Sequence, residues 1–597
     1  MKRYFSILFL AGAAFAAPPQ QFKLAREFRN GFSLSAQPVP VIVQWKHQPG
    51  AGQEHTIAAF GGSTRGRLRS ARAGLYRLPA FAIQLLANDP EVAFISPDRH
   101  IKARLDNTAA AINATAAWGA GFTGSGIGVA VIDSGVNSET NLGNGRPPVY
   151  SYDFTQPSAL QDITALLGSV IAPLPIGVQL PSSMSAPDKF GHGQHVAGII
   201  ASNGLSSQCN TCKRNFKGVA YGANIVNLKV LDENGEGTES NVILAIDTAI
   251  ALKDIFNIRV INLSVGRPVY ESYTQDPLCQ AVEAAWRAGI VVVAAAGNDG
   301  RDNTFGEQGY GTINAPGNDP YVITVGSMKS EGTPSRTDDL IASYSSKGPT
   351  AVDHVVKPDL VAPGNLVVSL LAPGSTLAKQ NPANVATLDY YQNVNTKQVG
   401  QASKYYFVLS GTSMSAPVVS AAAADLLQAN PNLTPDQVKA ILMETAYKTF
   451  PDSSSVADPA SGQTFVAYYD LFTVGAGYLD LGAAMALANT EVPSGTAMSP
   501  LAQVDPASGS VSIVFDPSSI WSDRSMWGAR SMWGARSMWG ASLTDSNQVI
   551  WDTRSMWGAQ GTAGANSIWD SRSMWGANNV GDNRSMWGAS VLVNGEK

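Results

Sequence analysis

The stretch that decides the fold is Gly126–Val136, GIGVAVIDSGV. Four apolar residues, Val129–Ile132, run into an acid and then Ser-Gly. That pattern predicts a strand buried on both faces, with Asp133 at its carboxyl end. Similar short runs recur at Asn224–Val230, Val260–Leu263, Ile290–Ala294 and Val322–Val325. Helical stretches lie between them, at Val196–Ala201, Asn241–Leu252, Gln280–Ala288 and Ser415–Gln428. Strands alternating with helices predict an α/β fold, a mostly parallel sheet with helices on both faces. Such sheets gather their sites beyond the carboxyl ends of the strands.

Outward from that block, composition sets the bounds. The chain has 597 residues, 44% hydrophobic and 15% charged, enough to build a core and too apolar for a wholly disordered chain. Its 41 basic and 46 acidic residues leave a net charge of −5, so neither nucleic acid nor an anionic membrane is indicated. Three cysteines cannot form a disulfide framework; Cys209 and Cys212 make a C-x-x-C, and Cys279 is the odd one.

Residues 1–16 have the grammar of a secretory signal: Lys2 and Arg3, an apolar run Tyr4–Leu10, and Ala14-Phe15-Ala16 before a cut near Ala17. No later stretch reaches the ~18–20 apolar residues of a membrane span. The expected destination is therefore outside the cell. Ala17–Gln37 reads as a linker. A strand at Val39–Trp45, a helix at Ala80–Ala87 and a strand at Val92–Ser96 make a small α+β unit, basic around Arg65–Arg77.

The tail from about Val492 holds nine of the twelve tryptophans and six copies of RSMWGA, starting at Arg524, Arg530, Arg536, Arg554, Arg572 and Arg584. Its tryptophans are spaced by multiples of six, with an 18-residue period superposed. A six-residue period preserves strand parity and misfits the helical 3.6, so a β-solenoid of about 18 residues per coil is expected. A flexible low-complexity tail is the other reading. Exposed Trp and Arg would suit cell-surface or polysaccharide contact; stacking inside the solenoid is the plainer use of the rings.

Three segments carry chemistry. Besides Asp133, GHGQHVAGIIAS (Gly191–Ser202) sets His192 between glycines ahead of a helix. A zinc site on His192 and His195 lacks a third ligand at helical spacing. In SGTSMSAPVVSAAAADLLQ (Ser410–Gln428), Ser413 opens a helix with Pro417 read into its first turn. Alone, Ser413 reads as a cap. Together the order is Asp, His, Ser, one of the chain orders known for the catalytic triad.

At this point the sequence resembles a subtilisin-like serine protease of the subtilase family. VIDSG, GHGQHVAG and GTSMSAP are similar to its three signature segments, and VVAAAGN (Val292–Asn298) places Asn298 on its oxyanion asparagine. INLSVG (Ile261–Gly266), YSSKGP (Tyr344–Pro349), KPDLVAPG (Lys357–Gly364) and GAGYLDLGAAMA (Gly475–Ala486) extend the likeness over about Leu105–Asn489. The resemblance implies a serine endopeptidase with Ser413 as nucleophile, His192 as base, Asp133 orienting the imidazole, and Asn298 with the Ser413 N–H receiving the oxyanion. Ser264, Val265 and Gly266 with Ala295, Ala296 and Gly297 would edge the P1 pocket and bind substrate, with room for a sizeable apolar side chain.

The same resemblance makes 17–104 a linker and an I9-type inhibitor propeptide, removed near Lys102–Asp106, ahead of a catalytic domain at 105–489 and a C-terminal extension at 490–597. Protein or peptide substrates and the chain's own propeptide are the partners implied. No cofactor is needed for the chemistry. Members often bind calcium where Asn203–Gly218 (NGLSSQCNTCKRNFKG) lies, but that stretch has amides and no carboxylate, so no clear metal site supports one. In a secreted protein Cys209 and Cys212 suit a local disulfide. Gln194 stands where the family has Thr, which bears on packing beneath the site. Phe154–Asp188 reads as an insertion, either a cleft rim or a neutral loop. The rival reading of the whole is a weak or inactive subtilase whose tail serves adhesion.

Overall fold

The computed structural model describes residues 23–24, 28, 37–68, 73–97, 105–139, 141–143, 145, 147–156, 183–302, 308–458, 462–488, 495–504, 511–520, 550–551 and 596. The expected secretory signal, most of the expected linker and of the segment Phe154–Asp188 read as an insertion, residues 98–104 and the RSMWGA copies lie outside these, as does the solenoid expectation. Two compact units divide the chain: Met1–Lys102 with Ala457–Gln463, and Ala103–Val456 with Thr464–Lys597.

In the first unit β1 (Pro38–Trp45), α1 (Ala51–Ala59), β2 (Ser63–Leu68), β3 (Ala73–Pro79), α2 (Ala80–Leu86) and β4 (Val92–Pro97) follow in order. The sheet is antiparallel, in the order β2-β3-β1-β4. Alternate residues Val41, Val43 and Trp45 of β1 are buried with Tyr76, Leu78, Ile83, Leu86, Val92 and Ile95, the period-two pattern of a sheet with one covered face. The Trp45 Nε1–H donates to the Tyr76 hydroxyl at 3.2 Å. The sequence reading missed α1, β2 and β3. The arginines of β2 and the Gly-rich, polar flanks hide the alternation there.

The second unit is built on eight strands: β5 (Gly128–Asp133), β6 (Tyr150–Asp153), β7 (Asn224–Lys229), β8 (Ile258–Leu263), β9 (Val291–Ala295), β10 (Ile323–Lys329), β11 (Leu340–Ile341) and β12 (Leu360–Pro363). The sheet order is β11-β10-β9-β8-β5-β7-β6, with β12 also on β10, and only β11 is antiparallel. Every residue of β5 and β9 is buried, as expected of parallel strands covered on both faces. Its longest helices among the described residues are α3 (Gly193–Ala201), α4 (Glu239–Ala251), α5 (Pro277–Arg287), α6 (Thr412–Ala429) and α7 (Pro435–Glu444). Their starts are chemically marked: Asp276 caps α5 ahead of Pro277, and Thr434 with Gln437 forms a capping box on α7. A second sheet, β13 (Val367–Leu370), β14 (Val385–Thr387) and β15 (Ala402–Leu409), runs in the order β13-β15-β14.

The packed core runs on past Asn489. Ala497, Ala502, Ile513 and Ile520 are buried in the main cluster. The Ser499 hydroxyl donates to Asp359 at 2.5 Å inside a buried cluster where Asp359 also pairs with Lys357 and Lys439. Cys209 and Cys212 form a disulfide, and Cys279 is buried and free. No helix among the described residues is long and apolar enough to cross a membrane.

Candidate active site

Asp133 ends β5, and His192 is the residue from which α3 starts. Gly193 lets the two meet: a Cβ there would lie 2.3 Å from the Gly135 carbonyl and 3.2 Å from the Asp133 Cβ, so only glycine admits this approach. His192 Nδ1 lies 2.7 Å from Asp133 Oδ1, both side chains fully buried. A nitrogen facing a carboxylate carries the proton. His192 Nε2 is then the lone-pair nitrogen, and it is buried with no hydrogen bond among the described residues. A buried basic nitrogen left unengaged is what a general base requires.

Behind this pair lies a carboxylate that the sequence reading did not single out. Asp188 accepts from the Ser134 hydroxyl (2.8 Å), the Gly191 N–H (2.7 Å) and the Gln194 N–H (2.8 Å). Ser134 in turn donates its N–H to Asp133 at 2.7 Å and accepts the Gly193 N–H at 2.9 Å. Asp188 therefore ties the turn after β5 to the first turn of α3. Burial pushes its carboxyl up from the usual range, opposed by those three donors. An acid four residues before the His in DKFGH was the available signal.

Gln194 fills the space beneath. Its Oε1 accepts the Asn137 N–H at 2.7 Å, and its Nε2 donates to Glu139 at 2.6 Å. Burial pushes Glu139 up to about 7. His195, weighed above as a metal ligand, faces elsewhere: its Nε2 is 3.1 Å from both the Val367 and Phe407 carbonyls, bridging β13 and β15. Burial holds it neutral, down to about 3.

Ser413 is the second residue of α6. Pro417 is the sixth, inside the helix rather than in its first turn. With no N–H, Pro417 cannot bond the Ser413 carbonyl one turn back. That carbonyl instead accepts the Ser264 hydroxyl at 2.8 Å, while the Ser413 hydroxyl donates to the Ser264 carbonyl at 3.0 Å. Ser264 Oγ also accepts Asn262 Nδ2 at 2.9 Å, and Asn262 Oδ1 accepts from Ser420, about two turns further along the same face of α6, at 2.9 Å. The end of β8 is thus bolted to α6 around the serine.

Asn298 is oriented by the same turn. Its Oδ1 accepts the Thr412 N–H at 2.9 Å, so its Nδ2 points away as a donor. Ser264, Val265 and Gly266 follow β8, and Ala296 and Gly297 follow Ala295 at the end of β9, its parallel neighbour. Arg267 pairs with Ala315 in an antiparallel bridge, and a Cβ on Gly297 would meet Asn314 at 2.8 Å. Asn314 and Ala315 thus lie against the segments that follow β8 and β9, unforeseen because they belong to an irregular segment.

Among the described residues no cluster of three or more His, Cys, Asp or Glu could hold a metal. Two side-chain amide oxygens of the Asn203–Gly218 loop are used within it: Asn203 Oδ1 accepts the Leu205 N–H at 2.9 Å, and Asn215 Oδ1 takes the Ser207 hydroxyl at 3.3 Å. With Lys213, Arg214 and Lys217 beside them, these donors do not fit calcium.

A carboxylate–imidazole pair after one strand of a parallel sheet, and a serine at a helix start whose turn holds an asparagine amide, are parts that a serine hydrolase uses. Residues 124–466 match the family model described as Subtilase family, Peptidase_S8. Serine protease AprX of Bacillus subtilis (strain 168) is 33% identical over 372 residues, 61% of this chain and 71% of that protein. Subtilisin E of the same strain is 30% identical over 400 residues, covering 66% and 81%. An extracellular serine proteinase of Thermus sp. (strain Rt41A) is 29% identical over 382 residues, covering 61% and 68%. This chain belongs to the subtilase family and is a serine endopeptidase.

Proposed function

We propose that the protein is a secreted endopeptidase that cleaves peptide bonds through Asp133, His192 and Ser413. Ser413 Oγ attacks the scissile carbonyl while His192 Nε2 takes its proton, and the imidazolium then protonates the leaving amine. Water hydrolyses the acyl-enzyme by the same route. Asp133 holds the tautomer, and Asn298 Nδ2 with the Ser413 N–H receives the oxyanion. The observation that carries this is the 2.7 Å Asp133–His192 hydrogen bond, which leaves a buried Nε2 unengaged among the described residues. Ser264–Gly266 and Ala295–Gly297 edge the P1 pocket, suited to a sizeable apolar residue.

In this reading the protein is made as a precursor. Residues 1–16 direct export, 17–104 act as linker and intramolecular inhibitor, 105–489 carry catalysis, and 490–597 form an extension with surface-binding potential in its Trp and Arg repeats. The chemistry needs no cofactor. The test is expression of the precursor beside Ser413→Ala, following N-terminal processing by gel and mass spectrometry. Shedding of the 17–104 segment by the wild type alone supports protease, propeptide and nucleophile together. Processing of both variants alike points to maturation by another protease. No processing and no cleavage of any substrate would favour the inactive, adhesive reading.

A further inference from the structure

Glu596, 231 positions beyond Asn365 in sequence, is only 3% exposed and sits in a pocket of the catalytic unit. Three residues from separate loops build that pocket. Glu596 Oε1 accepts Arg301 Nη2 at 2.8 Å and the Ser343 N–H at 2.8 Å, and the Ser343 hydroxyl donates to it as well. Arg301 is pre-set for this by its Nε, which donates to Ser343 Oγ at 2.7 Å, and by Phe465 beneath its guanidinium at 4.9 Å. Asn365 reads the backbone: its Oδ1 accepts the Glu596 N–H and its Nδ2 donates to the Glu596 carbonyl, both at 2.8 Å. A side-chain amide pairing with both groups of one residue copies a strand neighbour, so the pocket selects an acidic residue in an accessible stretch of chain.

The pocket's walls are the loops that shape the candidate site. Arg301 lies three residues after Asn298, and the intervening Gly300 N–H is held by the Tyr344 carbonyl at 2.8 Å. Asn365 follows Gly364, whose carbonyl accepts the Gly411 N–H at 2.9 Å, and precedes Leu366, whose N–H donates to Ser410 Oγ at 2.8 Å. A Cβ on Gly364 would lie 2.7 Å from the Gly411 carbonyl, so the loop has no room to drift from the turn that carries Thr412 and Ser413.

We propose that Arg301, Ser343 and Asn365 form a receptor for Glu596, and that seating this residue braces the Asn298 and Gly411 loops, so that the C-terminal segment supports catalysis. The bracing half rests on the site reading above; the docking half does not. The same full chain answers both. In wild type the Ser343 amide is protected from hydrogen exchange, and Glu596→Ala speeds it by about tenfold or more, the loss of a buried charge-assisted bond. The same variant lowers kcat on a short chromogenic peptide by about three- to tenfold with KM unchanged, the sign of a lost transition-state effect. Asn365→Ala does the same, and Glu596→Ala with Asn365→Ala is no worse than either, because the pair acts as a unit. Glu596→Gln keeps shape and acceptor, so it separates charge from packing and guards against a misfolded alanine variant. Ser343 exchange unmoved by Glu596→Ala overturns the docking. Faster exchange with unchanged or raised kcat overturns the bracing. A wild type inactive on every peptide, with Ser343 exchange still answering to Glu596, leaves the docking standing and removes the proposed function instead.

Discussion

His192 and Ser413 both stand at the starts of buried helices, yet the polar shells around them differ in kind. Behind His192 are three carboxylates, Asp133, Asp188 and Glu139, linked through Ser134, Asn137 and Gln194. Around Ser413 the hydrogen bonds described above join neutral groups: Asn262, Ser264, Thr412 and Asn298. Buried charge costs desolvation and titrates, whereas neutral hydrogen bonds hold their geometry at any pH. A pH response therefore has an address. It belongs to the His192 half, and the Ser413 half supplies fixed donors.

The largest expected effect lies in the neutral half. Asn298→Ala should cut kcat by ~10²–10³ with little change in KM. Steady-state kinetics across pH checks it, because the loss should be uniform through the profile. A loss confined to one pH range would break the division drawn above.

Next comes Asp188→Asn. The amide offers one acceptor oxygen to three donors, two of them backbone N–H groups, so folding stability should fall by about 2–4 kcal/mol. Calorimetry measures this. Activity should fall as well, by about tenfold, as the start of α3 loosens beneath His192. Retained stability would mean that Asp188 is not what holds the two turns together.

Glu139 gives the pH test. Its ordinary value is 4.5, and burial raises it to about 7 in the folded protein. Between those values the folded state keeps a proton that the unfolded state has released. Stability from this group is therefore full below about 4.5 and is lost as pH rises through 7, on the order of 1–3 kcal/mol. Glu139→Gln should flatten that fall in denaturant unfolding measured from pH 5 to 8. An unchanged slope would assign the titration to another group.

The smallest effect is expected at Ser264→Ala, which leaves the Ser413 carbonyl without its hydroxyl donor. A loss of about 1 kcal/mol, or several-fold in kcat, should follow, again without a shift in the pH profile.

Much of the arrangement was legible because the chemistry imposes local grammar. Asp133 after four apolar residues, His192 between glycines and Ser413 before an alanine-rich helix each mark where a strand or helix must begin or end. Five strands of the main sheet were readable because parallel strands are apolar on both faces. Asp188 was not: it lies at the end of a long irregular insertion, where no period marks its role. Nor was Ser264 legible as a brace on Ser413, because its partner is 149 positions away. Pro417 was visible, but its consequence was not, since that depends on which hydroxyl stands near the carbonyl it leaves open.

The family, the α/β class and the residue types proposed for catalysis were all readable along the chain, since these rest on short-range pattern and motif. Only the tertiary structure decided which polar groups share the burial: that Gln194 couples to Glu139, that His195 ties two strands, and that Glu596 enters a pocket made by Arg301, Ser343 and Asn365. Burial without a partner is costly, so each such group must find one. The partner is chosen by proximity in three dimensions, which the order of residues along the chain does not state.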